Sequence, residues 1–161
     1  MQEVDDLINT GMCIDRETGE IKFPNNLINL IIAPNLTLDN FLRKYSNLVI
    51  EKSTMGPPWI RCWILQERYA MMIYFHGQEL GLIDFGVKQS IKKQDEENYS
   101  KTEEKKLNDH LLYRLLGEPD RRWEDGDIFY DLGQVKINSI TDDDHGGGPS
   151  ILIRYKAYKK Q

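Results

Sequence analysis

The chain has no apolar run long enough to cross a bilayer as a helix, which takes about 20 residues. Its longest apolar stretches, Leu27 to Ala33 and Ala70 to Phe75, are far shorter. Cysteine is scarce: Cys13 and Cys62 lie far apart, in neither a CxxC pair nor beside a histidine. That excludes a disulfide framework or a zinc-ribbon spacing and leaves reduced core thiols. No GxSxG, Walker loop, HExxH or strand-following GxGxxG occurs, so the commonest hydrolase, nucleotide and metalloprotease chemistries have no local signature. The segment Met1 to Asp6 is acidic and lacks the basic and apolar regions of a secretory signal, from which a cytoplasmic protein is expected. Positive charge is the minority sign. Lys and Arg number 21 against 26 Asp and Glu, a formal net charge of -5, which disfavours direct nucleic-acid binding and leaves solubility or a basic partner as its meaning.

What is present suits one globular domain. At 161 residues, 40% hydrophobic and 29% charged, the chain can bury a core without a metal or staples. The pattern indicates a single α+β domain over residues 1–161, mainly antiparallel sheet, with one long amphipathic helix at about 101–116 and a short one at about 38–45. Met12 and Ile14, then a polar turn, then Ile21 and Phe23 read as a hairpin. Asn25 to Ala33 is too short and too uniformly apolar to separate strand from helix. Thr37 can cap a helix that places Leu38, Phe41 and Leu42 on one face.

Strands are expected at Asn47 to Lys52, Trp59 to Gln66, Arg68 to Phe75 and Glu79 to Phe85. In the second and third, both alternating sets are apolar. Such strands are central, covered on one face by helices and on the other by loops or a partner. Met55 to Pro58 breaks the ladder. Residues 88–100 form a polar connection and 156–161 a frayed tail. Ser100 and Glu103 fit a capping box. Leu107, Leu111, Leu112, Leu115 and Leu116 make one stripe, closed by Gly117 and Pro119. A parity shift between Leu132 and Val135 suggests a bulge near Gly133. A final strand, Ser150 to Tyr155, pairs antiparallel around Thr141 to Pro149.

Chemistry-bearing residues are few. Asp142 to His145 supplies hard oxygens but lacks the spacing of a calcium loop, so a solvated turn is favoured over a metal site. The glycines at 146–148 precede no helix that would receive a phosphate. His76, His110 and His145 are scattered. Electrostatics is the remaining signal. Between Glu118 and His145, nine carboxylates face three cations, an excess larger than the whole chain's net charge. A solubilising surface and a steering surface for a basic partner both account for it. Aromatic residues Trp123, Phe129 and Tyr130 among the carboxylates suit an interface anchor, or the core.

The carboxy-terminal third resembles a known family. Leu107 to Leu112 with Leu115-Leu116-Gly117-Glu118-Pro119, then Phe129 to Val135, then Gly146 to Tyr155 are similar to small bacterial immunity proteins encoded beside polymorphic or contact-dependent growth inhibition toxins. The resemblance also covers the Thr37 to Lys44 helix. Two features depart from the family pattern: Leu132 stands where a Trp precedes the glycine, and Thr141 to His145 is an enlarged, acidified hairpin. The resemblance implies a monomeric, non-catalytic cytoplasmic protein that neutralises a cognate toxin domain, with no cofactor, metal or membrane contact. This chain's own charges point to a basic nuclease as the toxin. They nominate Trp123, Glu124, Asp125, Asp127, Asp131, Asp142, Asp143 and Asp144 as the partner-binding residues. A small metal-dependent enzyme using Asp142 to His145, or an interaction adaptor, are the alternatives.

Overall fold

The structure, a computed structural model, describes residues 2–25, 28–53, 55–56, 58–64, 69–87, 101–142 and 148–158. Helix α1 (Gln2–Asn9) leads into strands β1 (Cys13–Ile14), β2 (Ile21–Phe23) and β3 (Leu30–Ile32), which form a small antiparallel sheet. Helix α2 (Leu38–Tyr45) and a short 3-10 turn (Ser46–Leu48) follow. A meander then runs β4 (Val49–Ser53), β5 (Trp59–Ile64), β6 (Tyr69–His76) and β7 (Glu79–Phe85). After α3 (Lys101–Leu116) comes a second meander of β8 (Arg121–Arg122), β9 (Ile128–Asp131), β10 (Lys136–Ile140) and β11 (Ser150–Arg154). The two meanders join through β7 and β11 into one eight-stranded antiparallel sheet, ordered β4-β5-β6-β7-β11-β10-β9-β8. The chain is thus a single α+β domain, mostly β.

The expected elements form for local reasons. Thr37 is extended, and its side chain accepts from the Asn40 amide, so α2 starts where a capping residue stands. Helix α3 puts Leu107, Leu111, Leu112 and Leu116 into the core and ends at Gly117, whose N–H bonds the Tyr113 carbonyl and whose left-handed backbone turns the chain out of the helix. Its proposed cap, Ser100, lies outside the described residues, as do 88–99 and 159–161. The 12–23 hairpin forms, pairing Ile14 with Ile21, and the apolar run left open at 25–33 yields β3.

Two points differ from the sequence reading. The parity shift near Gly133 is a chain reversal rather than a bulge: β9 and β10 are antiparallel neighbours, and Leu132 donates to the Val135 carbonyl across the turn. The acidic amino terminus is a helix. Its Val4 and Leu7 are fully buried, and Arg114 of α3 reaches Asp5 at 2.8 Å.

All the covering elements lie on one face of the large sheet. Phe41 of α2 meets Phe75, Phe23 of β2 meets Phe85 edge-on at 5.6 Å, and Ser139 of β10 bonds to α3. Ile60, Met71, Ile73, Ile83, Ile137 and Ile153 fill this inner face. Along β5 and β6 burial alternates strictly, so the second apolar set, including Trp59, Trp63, Met72 and Tyr74, is only half-buried. Both sets are apolar, as the sequence indicated, yet no described helix or strand covers the outer one. The β3 edge of the small sheet is closed by Tyr45, whose hydroxyl accepts from the Ile31 amide at 3.0 Å and donates to the Ile31 carbonyl at 3.2 Å. That removes a template for strand addition.

Candidate functional site

The acidic block folds into a tight corner. Trp123 donates to the Asp127 carbonyl at 2.9 Å and Gly126 to the Trp123 carbonyl at 3.0 Å, closing the β8–β9 turn. The Asp125 carboxylate accepts from the Asp127 amide at 3.0 Å, the local bond that aspartate favours in turns. Two anchors hold this corner to the body. Lys105 of α3 donates to the Gly126 carbonyl at 2.8 Å while paired with Asp109 at 2.6 Å, and Ser139 donates to the same Asp109 carboxylate at 2.6 Å. On the other side, Asp127 accepts from the Thr141 amide and hydroxyl at 2.9 and 3.1 Å.

Trp123 is held out from this frame, 38% exposed. The Arg121 guanidinium stacks over its ring at 5.0 Å from the centroid, and Phe129 meets it edge-on at 6.0 Å. These contacts fix the indole before any partner arrives, which lowers the ordering cost of binding. Glu124 and Asp125 form the exposed tip beside it.

The residues nominated from sequence therefore separate. Trp123, Glu124, Asp125 and Asp127 share the corner, and Asp142 adjoins it through Thr141. Asp127 acts as a clamp, and Asp142 accepts from the Gly148 amide at 2.9 Å across its loop. Asp131 lies at the other end of β9, roughly 13 Å away at the rise of an extended strand. There it accepts from the Gly133 amide at 2.8 Å, while its own amide donates to Asp120. Asp143 and Asp144 fall outside the described residues, as does His145. Of the two other aromatics, Tyr130 is core: fully buried, its hydroxyl donates to the Gly117 carbonyl at 2.8 Å and burial pushes its pKa up to about 12.

Among the described residues no group of three His, Cys, Asp or Glu side chains could hold a metal, and no helix is long and apolar enough to cross a membrane. A cavity of about 380 Å³ opens between the Pro34 to Thr37 loop, Glu79, Gln134 and Lys156. The first amides of α2 beside it are already satisfied by Gln78 and Thr37. Tyr155 lines it too, but its hydroxyl is sealed from solvent and has no partner among the described residues, and burial raises its pKa.

The sequence indicates a second apolar face on β5 and β6, for loops or a partner to cover, but which residues of the other strands join it depends on register. One row runs Trp59, Tyr74, Leu82, Arg154, Lys136 and Asp131 across β5, β6, β7, β11, β10 and β9. The next runs Arg61, Met72, Asp84, Leu152, Asn138 and Phe129, and ends at Glu51 on β4 and Arg121 on β8. Phe129 carries this face directly under Trp123, so the acidic corner is its rim. The signal available was the doubled apolar alternation of β5 and β6.

Comparison of the chain with family models, with curated proteins and with solved structures returned no match.

Proposed function

We propose that this chain is a non-catalytic immunity protein. It binds a cognate bacterial toxin domain, a nuclease, in the cytoplasm and neutralises it by occupying the basic region around its active site. The observation that supports this reading is the β8–β9 corner, where a pre-oriented, 38% exposed Trp123 stands beside the Glu124 and Asp125 carboxylates on a turn pinned to both α3 and β10. Nucleases carry cationic clefts for phosphate, and carboxylates on a rigid support can take the phosphates' place. An aromatic anchor inside a charged rim is the arrangement of an interface hot spot.

The test is calorimetric titration with the toxin domain encoded beside this gene, at rising salt. Tight binding that weakens with salt, with E124Q/D125N flattening the salt dependence and slowing association, is the expected result. Absence of binding to the adjacent domain, or an adjacent gene that encodes no toxin, sinks the proposal.

A further inference from the structure

The outer sheet face carries an electrostatic defect where β10 begins and β11 ends. Arg154 and Lys136 are direct cross-strand partners on β11 and β10, two like charges side by side, an arrangement that destabilises a sheet. No carboxylate lies within 4 Å of either charged group among the described residues. Asp131 stands across from Lys136, but its carboxylate is turned to the Gly133 amide. Among the described residues the Arg154 guanidinium has one acceptor, the Asn138 side chain, and its buried Nε has none. Its neighbours along the row are Leu82, Tyr74 and Trp59, all half-buried. A guanidinium in that setting is partly stripped of water and has no counter-ion among the described residues.

We infer that the outer face of the eight-stranded sheet, at the end marked by Arg154 and Lys136, is the docking surface for a protein partner that presents a carboxylate from within an apolar patch. The partner is the cognate domain of the proposed function, so this inference rests on that reading and deepens it. A carboxylate placed over the pair relieves the repulsion and accepts charge-assisted bonds from the arginine fork. Around it, Leu82 and Met72 supply the apolar contact that excludes water. The acidic corner at the rim, continuous with this face through Phe129 and Trp123, then meets the partner's basic residues. The two charge signs together set one orientation.

Full-length chain is titrated with the toxin domain of the adjacent gene as wild type, K136Q, R154Q and E124Q/D125N, with denaturant unfolding of each. The chain alone is measured by light scattering. K136Q and R154Q are expected to bind at least about tenfold more weakly, since each removes a desolvated charge contact. K136Q should meanwhile unfold at the same or a higher denaturant concentration, because it removes a like-charge pair. A merely structural lysine would show the opposite stability change. If the wild type binds and both variants bind within twofold of it, this face is not the interface, while the corner reading survives through E124Q/D125N. If the wild type does not bind, the proposed function and this inference fall together. A homodimer dispersed by R154Q would assign the face to a second copy and overturn the inference.

Discussion

Asp127 Oδ1 accepts two hydrogen bonds from Thr141, one from the amide and one from the hydroxyl. The pair ties the β8–β9 turn to the end of β10 and turns a nominal surface charge into a structural acceptor. An asparagine oxygen can accept both bonds as well. D127N is therefore expected to keep its stability and its partner affinity, whereas D127A should lose about 1–3 kcal/mol in urea unfolding. Equal partner-affinity losses in the two variants would show that Asp127 acts through its charge instead.

Lys105 is the second tether. Its side chain is 11% exposed, and Asp109, its partner at 2.6 Å, is 36% exposed. K105M leaves the Gly126 carbonyl unbonded and Asp109 without its counter-ion. The cost is put at about 2 kcal/mol, below that of a fully buried pair because Asp109 remains wetted. A K105M/D109N double variant should cost less than the sum of the single changes. Strict additivity would mean that the two residues act separately.

Gly81 in β7 owes its identity to His76. A Cβ at position 81 would stand 2.6 Å from His76 Cδ2 and 3.3 Å from the Tyr74 carbonyl oxygen. The imidazole also meets Tyr158 at 6.5 Å, so it has a reason to stay where it is. G81A should destabilise by about 1–3 kcal/mol, and H76A should recover part of that loss. No recovery would place the strain at the Tyr74 backbone.

Both thiols are expected in the core from the sequence, but only Cys62 is there, so the two should behave oppositely. Cys13 is exposed and Cys62 buried, and burial pushes the Cys62 thiol up from 9.0 to about 12. Rapid alkylation at Cys13 and labelling at Cys62 only on unfolding are expected. Because the folded value is raised, the Cys62 contribution is complete below pH 9 and declines as pH rises toward 12. C62A should remove that alkaline decline. At the acid end the sign reverses for Asp5, whose carboxyl Arg114 holds below its usual value of 3.8. Its contribution exists above that value and is lost as pH falls, an effect that D5N should abolish.

Legibility in the sequence followed the range of the interactions. The stripe of α3, its Gly117 stop and the Thr37 cap depend on neighbours within a few residues, and all could be read. Helix α1 was missed because its Val4 and Leu7 make sense only against the rest of the core. The reversal at Gly133 was read as a bulge because a parity change alone does not distinguish the two. Carboxylates counted as free charge proved to be acceptors for Thr141, Gly133 and Gly148, bonds that no spacing rule announces. The Arg154–Lys136 contact needs the register of two strands, which a string of residues does not contain.

The join between the two meanders has a kinetic consequence. Within each meander every ladder links consecutive strands, whereas β7 and β11 pair Ile83 with Ile153 and Phe85 with Ile151 across a wide sequence gap. Closing that gap carries the largest chain-entropy cost of any ladder in the large sheet. The hairpins are expected to form early and the β7–β11 seam late, so I153V should mainly speed unfolding while I60V, within a local ladder, should slow folding. A chevron analysis with the reverse assignment would mean that the distant halves nucleate together.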